Sequence, residues 1–217
     1  MPIEFRTKTT EIITALKPLK VVPVLVAEDT ETGVEICNIL CRNGLKTAEI
    51  TFRTKVAEEL IKEASSAFPE MIIGAGTILT TEDLRKAQKA GARFAVAPGF
   101  NPKIVAEAVS AAFPFMPGVC TPTEMEQAME LGVRDFKFFP AESAGGVPFL
   151  KNIIAPYAHL GITFMPTGGV NPDNIQDYLS IPQVTVAGGT WLAKRGLSLE
   201  EIESHVKTTV KELEIPQ

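Results

Sequence analysis

The sequence predicts an α/β fold of parallel strands and intervening helices, closed into a (β/α)8 barrel of the TIM type with an additional N-terminal helix. Three observations predict it. Short β-rich runs recur at fairly even spacing along the chain. Amphipathic segments with helical periodicity lie between them. The turn after the first run has no glycine between Ala27 and Gly33, whereas an open doubly wound sheet would be expected to carry GxGxxG there.

The runs, in order, are VVPVLVA (21–27), TAEITF (47–52), MIIGAGT (71–77), FAVAPG (94–99), FMPGVC (115–120), DFKFFP (135–140), ITFMPTGG (162–169) and VTVAGGT (184–190). Their β-branched and aromatic content and their glycine or proline boundaries mark strands. Between the first two, Thr32 to Arg42 places Val34, Ile36, Cys37, Ile39, Leu40 and Cys41 near one face of a helix. Thr81 to Ala90 is a second helix, opening on Thr-Thr-Glu-Asp, an N-cap with an acidic first turn. A third opens at Asn171 or Pro172, after a Gly-Gly turn. An extra helix, roughly Phe5 to Leu16, precedes the first strand and would plug the bottom of a closed barrel. Each strand–helix unit averages about 25 residues, so the barrel would be compact. With no linker or low-complexity tract, residues 1–217 read as a single barrel domain, with Glu212 to Gln217 as a loose end.

Composition narrows the function. The 217 residues are 45% hydrophobic and 22% charged, near the soluble globular average. A formal net charge of −5 argues against a nucleic-acid or anionic-membrane surface, but leaves room for a local positive pocket that binds a small anion. Cys37, Cys41 and Cys120 are odd in number and widely spaced, which suits reduced thiols packed in a core rather than a disulfide framework. The N-terminus has no apolar signal-peptide core and no segment reaches membrane-span length, so a cytoplasmic protein is expected. His159 and His205 lie away from the strand ends, and HExxH and CxxC are absent from the sequence. No metal or other cofactor is expected.

Polar residues inside the strands carry the chemical signal. Alternation in TAEITF turns Ala48, Ile50 and Phe52 toward helices, and Glu49, Thr51 and Arg53 toward the barrel interior. In DFKFFP the same parity turns Asp135, Lys137 and Phe139 inward. Lys137 is then expected to meet Glu49 and Arg53. A lysine in a buried strand is costly unless something uses it. Burial disfavours the charged amine, and a neutral amine is a nucleophile toward ketones. Lys137 is therefore the first candidate for a Schiff base. Two plainer readings stay open: a Glu49–Arg53 pair that neutralises itself, and a lysine paired with a carboxylate for packing.

Glycine-rich strand ends supply the second signal. Gly74-Ala75-Gly76-Thr77 would let a ligand approach the backbone, with Thr77 as a hydroxyl donor, or would simply form a tight turn. Thr167-Gly168-Gly169 and Gly188-Gly189-Thr190 end the last two strands, where barrels of this type often bind phosphate. The alternative is two ordinary glycine turns.

These stretches resemble the bacterial 2-keto-3-deoxy-6-phosphogluconate (KDPG) aldolases, also called 4-hydroxy-2-oxoglutarate (KHG) aldolases. VVPVLV, AEITFRT, IIGAGTILT, FAVAPGF, DFKFFPAE, PTGGV and AGGTWL carry the likeness from Val21 to Leu192. The resemblance implies a metal-independent class I aldolase that cleaves KDPG to pyruvate and glyceraldehyde 3-phosphate, and KHG to pyruvate and glyoxylate. Its partner is a small 2-keto acid, and the assembly a homotrimer. It implies Lys137 as the Schiff-base residue and Glu49 as general acid and base. Arg53 and Thr77 would hold the substrate carboxylate, and Pro98 and Phe139 would line the pyruvyl pocket. Gly168, Gly169, Gly189 and Thr190 would bind phosphate. Relatives often carry serine at the positions of Thr190 and Cys120; at Thr190 the extra methyl would tighten the phosphate pocket. The rivals are an aldolase for the C4 epimer, 2-keto-3-deoxy-6-phosphogalactonate, a phosphate-binding isomerase or synthase barrel, and a noncatalytic sugar-phosphate binder.

Overall fold

The computed structural model describes residues 3–216. It is a parallel α/β fold. Among the described residues, the strands are β1 (Val21–Leu25), β2 (Thr47–Thr51), β3 (Ile72–Gly76), β4 (Phe94–Val96), β5 (Phe115–Met116), β6 (Gly118–Val119), β7 (Asp135–Phe138), β8 (Thr163–Pro166) and β9 (Ala187–Gly189). Six form one sheet in the order β5-β4-β3-β2-β1-β9, and three form another in the order β6-β7-β8. Every strand pairing is parallel. The first three strands are buried at every residue instead of at alternate ones. That is the mark of parallel strands covered on both faces.

The sequence suggests one strand across 115–120, but the structure has two short ones. Pro117 separates them. It has no N–H to give to a ladder, and its carbonyl instead accepts from the Lys137 N–H at 2.9 Å. β5 pairs with β4 on one side, and β6 pairs with β7 on the other. The sheet order therefore breaks at this proline, giving two ladders rather than one run of eight strands. Two isolated parallel bridges, Phe164↔Val184 and Thr167↔Gly188, link the three-stranded sheet to the segment that contains β9.

Helices alternate with the strands: α1 (Ile3–Leu16), α2 (Thr30–Arg42), α3 (Ala57–Ala67), α4 (Thr81–Lys89), α5 (Pro102–Ser110), α6 (Pro122–Glu130), α7 (Gly146–Ile154), α8 (Ile175–Leu179) and α9 (Leu199–Glu212). Their starts are written in local chemistry. Asp29 caps α2 by accepting from the Thr32 N–H at 2.8 Å. Thr80 with Asp83, Thr121 with Glu124, and Ser198 with Glu201 form reciprocal capping boxes on α4, α6 and α9. Each satisfies donors that the first turn of a helix leaves free, worth about 1 kcal/mol. α8 begins at Ile175, later than the Asn171–Pro172 start expected from sequence. Asn171 and Asn174 instead bond into a turn, the Asn171 N–H donating to Asn174 Oδ1 at 2.9 Å.

The core is one apolar cluster. Phe94, Phe115, Phe136, Phe138 and Phe164 are fully buried, and the Phe136 and Phe164 rings lie 5.5 Å apart. Helix α1 joins it through Phe5, Ile12, Ile13 and Leu16. The chain end is more ordered than the sequence suggests. Glu212 closes α9, and Leu213 and Ile215 beyond it are buried in the core. Gln217 lies outside the described residues. Cys37 is buried, and burial pushes its thiol up to about 12. Cys41 is pushed up to about 11, by burial first and then by its contact with Glu70. Neither thiol is a ready nucleophile.

Candidate active site

Lys137 leaves the middle of β7 and Glu49 the middle of β2, and the two side chains meet. Lys137 Nζ lies 2.9 Å from Glu49 Oε1 and 3.0 Å from Oε2. Both residues are buried, at 5% and 1% relative exposure. β2 and β7 lie in different ladders, so the contact spans the space between the two sheets. The inward parity deduced from sequence holds for this pair. Two charges withdrawn from water this far are weak stabilisers, because desolvation offsets most of their attraction.

Gly76 makes the arrangement possible. A Cβ built on it would stand 2.7 Å from both Cγ and Cδ of Glu49. Any side chain there would displace the carboxylate. The sequence leaves this glycine either to let a ligand approach or to form a tight turn; the structure shows that it makes room for Glu49. Gly74, in the same strand, admits the ring of Phe94 in the same way. Thr77 follows with φ +57, a left-handed conformation costly for a β-branched residue. The turn is held where the Ile78 N–H donates to the Val96 carbonyl at 3.2 Å.

Arg53 does not join the buried group. β2 ends at Thr51, and Arg53 is exposed in the turn that follows. The strand alternation used to place it inward stops two residues earlier. Thr51 is buried, but its hydroxyl donates to the Leu25 carbonyl at 3.1 Å, tying β2 to β1.

Phe139 is half-buried one residue past β7, its ring centroid 6.0 Å from Lys137 Nζ. Gly168 packs against that ring: a Cβ there would lie 3.3 Å from it. Gly168 and Gly169 have φ of +98 and +83, which a glycine adopts freely. Thr167 is buried and forms a bridge with Gly188. Gly188 leaves room for the Thr167 side chain, and Gly189 for the indole of Trp191. Thr190 is exposed just beyond β9. Pro98 is half-buried, and its carbonyl passes directly over Gly118. Cys120 is half-buried, its N–H donating to Glu124 Oε2 at 2.8 Å; burial raises its thiol, with Glu124 adding to the effect.

His159 and His205 are exposed, and His205 Nδ1 faces the Trp191 carbonyl at 3.2 Å. No group of three or more His, Cys, Asp or Glu side chains that could hold a metal occurs among the described residues. Among the described residues, no helix is long and apolar enough to cross a membrane. A pair missed from sequence lies beside the glycine turn. The Tyr178 hydroxyl donates to Glu142 Oε1, and the Glu142 N–H donates to the Gly168 carbonyl at 3.0 Å. No spacing rule joins residues on different elements this way.

Comparison with known proteins gives a consistent picture. A family model described as KDPG and KHG aldolase matches residues 12–207. The 2-dehydro-3-deoxy-phosphogluconate aldolase of Haemophilus influenzae is 43% identical over 189 residues, covering 87% of this chain and 88% of that protein. A crystal structure of the KDPG aldolase of Zymomonas mobilis ZM4 with 3-phosphoglycerate superposes with a TM-score of 0.86 at 34% identity, covering 92% of this chain and 94% of the other. The KDPG aldolase of Legionella pneumophila, with pyruvate captured as a covalent carbinolamine, superposes with a TM-score of 0.82 at 33% identity, covering 94% and 97%.

Proposed function

The chain belongs to the KDPG and KHG aldolase family, and from that premise we propose how its own residues carry out the reaction. It is a lyase of the class I, Schiff-base type, cleaving KDPG to pyruvate and glyceraldehyde 3-phosphate and KHG to pyruvate and glyoxylate. The assignment rests above all on one observation: Lys137 Nζ is buried within 3.0 Å of both oxygens of Glu49.

Lys137, having passed a proton to Glu49, attacks the C2 ketone of the keto acid. Glu49 returns protons so that the carbinolamine loses water and becomes an iminium. The iminium is an electron sink. Glu49, directly or through a water, takes the proton of the C4 hydroxyl, the C3–C4 bond breaks, and the aldehyde leaves. The enamine that remains is protonated at C3, and water then releases pyruvate and Lys137. One carboxylate serves as acid and base because each proton it gains is given back in a later step. The covalent intermediate divides a difficult carbon–carbon cleavage into easier steps. The carbinolamine in the Legionella relative is the chemical precedent for the first step.

Arg53 and Thr77 hold the substrate carboxylate in this assignment. Arg53, exposed in its turn, would close onto the bound keto acid through its planar fork. Pro98 and Phe139 line the pyruvyl pocket. Thr167, Gly168, Gly169, Gly188, Gly189 and Thr190 make the phosphate end, a role to which the 3-phosphoglycerate in the Zymomonas relative lends weight. The finer architecture follows the same assignment. Residues 115–119 act as one strand bent at Pro117, and the two ladders close into a (β/α)8 ring with α1 as an additional helix. The chain then acts as one barrel domain, 1–217, in a cytoplasmic homotrimer.

A coupled assay for pyruvate release over KDPG, its C4 epimer and KHG tests the proposal. Pyruvate is expected from KDPG and KHG, fastest from KDPG. Preference for the epimer would transfer the activity to the phosphogalactonate reaction, and no pyruvate from any of the three would refute the aldolase assignment.

A further inference from the structure

We propose that Tyr178 holds the Glu142 carboxylate aside from the Gly168–Gly169 turn, and so keeps that turn free to take the phosphate of a phosphorylated substrate. The inference rests on the assignment of this turn to the phosphate end of the site. Glu142 is bound to the turn from two sides. Its N–H donates to the Gly168 carbonyl at 3.0 Å, and the neighbouring Ala141 N–H donates to the Thr167 carbonyl at 2.8 Å. Its side-chain stem crosses Gly169 so closely that a Cβ there would stand 2.6 Å from both Cβ and Cγ of Glu142. A carboxylate on this stem is therefore within a rotamer change of a turn whose backbone suits an anion. Gly168 is half-buried and Gly169 exposed in this turn, and without side chains to screen them backbone N–H groups donate to a carboxylate as readily as to a phosphate oxygen.

The carboxylate is captured elsewhere. The Tyr178 ring is fully buried where α8 packs on the core, and its hydroxyl donates to Glu142 Oε1. Gly146, which opens α7, leaves space for this contact: a Cβ on it would lie 3.2 Å from Glu142 Oε1 and 3.7 Å from the Tyr178 oxygen. Burial, with the Glu142 contact adding to it, raises the Tyr178 hydroxyl above its ordinary value, so it stays a donor across the working range of pH. Tyr178 is a positioning residue in this account. It touches no reacting atom, and acts by removing an internal competitor for the anion site.

The test uses the full chain with Tyr178→Phe, Glu142→Gln and the double variant. The readouts are KM and kcat for KDPG, inhibition by inorganic phosphate, and turnover of KHG. Phenylalanine keeps the buried ring, and a melting curve for each variant reports any loss of fold. Tyr178→Phe should raise KM for KDPG and weaken phosphate inhibition, each roughly tenfold if the freed carboxylate occupies the turn about nine-tenths of the time. KHG turnover should stay within about twofold. Adding Glu142→Gln should restore phosphate affinity, because a neutral amide competes poorly with a dianion. A double variant no better than Tyr178→Phe would mean that the pair is only a strut and would overturn the proposal. So would equal losses on KDPG and KHG, or no effect of Tyr178→Phe on an enzyme that phosphate does inhibit. A wild-type enzyme indifferent to phosphate would instead remove the phosphate assignment itself, and the proposal with it.

Discussion

Asp135 and Lys137 stand two residues apart on β7 and point the same way, yet their surroundings differ in kind. At the start of the strand, Asp135 is half-buried beside three polar groups. The Thr163 hydroxyl donates to it at 2.6 Å, and Arg6 of α1 and Arg134 lie close enough to draw its carboxyl down. Burial outweighs them and leaves the group above its ordinary value. Two residues on, Lys137 meets one carboxylate, on a strand of the other ladder, beside a glycine that gives it room. The difference teaches that a half-buried carboxyl among several polar neighbours is accounted for by its surroundings. A buried amine given one partner across the two ladders, with a glycine beside that partner, is not accounted for in that way, and it is the group we propose for the chemistry.

The largest effect should come from separating stability from activity at the second of these groups. Lys137→Met should reduce pyruvate release to background. Alone it leaves Glu49 buried without a partner, at a cost of roughly 3–5 kcal/mol in a denaturant titration. Combined with Glu49→Gln it should recover the stability of the wild type while remaining inactive. A double variant far less stable than the wild type would return the pair to the fold and erase the contrast with Asp135.

Glu49→Gln alone comes next. It should slow KDPG cleavage by roughly two to four powers of ten, the usual scale of general acid–base help. Turnover at the wild-type rate would remove Glu49 from the proton path.

These positions were differently legible in the sequence. The parity of DFKFFP and TAEITF was enough to bring Lys137 and Glu49 together, because strand alternation is local and the two runs are strands. The same rule failed at Arg53, since it says nothing about where a strand ends, and β2 ends at Thr51. The parallel α/β class was legible in the alternation of runs and helices. The break at Pro117 was not, because which neighbour a residue pairs with is decided by the whole sheet rather than by the run containing it. That Gly76 makes room for Glu49 was not legible either. Its neighbour Glu49 is 27 positions away in sequence, 76 less 49; the pairing of β2 with β3 sets Glu49 opposite Gly74 and Thr51 opposite Gly76, and it is the Glu49 side chain, reaching past its own pairing partner, that comes against Gly76.

Gly76→Ala should therefore act on Glu49 and not on ligand entry. It should lower kcat roughly ten- to hundredfold, the scale of a misplacement of about 1 Å, with KM for KDPG little changed. A rise in KM at unchanged kcat would return the glycine to the ligand-admitting role suggested by the sequence.

The smallest effect belongs to the other end of β7. The Asp135 carboxyl sits above its ordinary value in the folded protein, so the folded state binds its proton more tightly than the unfolded chain does. Its contribution therefore falls as pH rises from the ordinary aspartate range through the raised value. Asp135→Asn should remove that slope, leave the melting temperature at neutral pH unchanged or higher, and leave KDPG cleavage intact. A loss of activity in this variant would show that the two ends of the strand are not separate.

The most direct measurement is borohydride reduction in the presence of pyruvate, followed by peptide mass analysis. A three-carbon adduct on the peptide containing Lys137, and absent from Lys137→Met, is the predicted result. An adduct on another lysine, or none in an enzyme that releases pyruvate, would contradict the account.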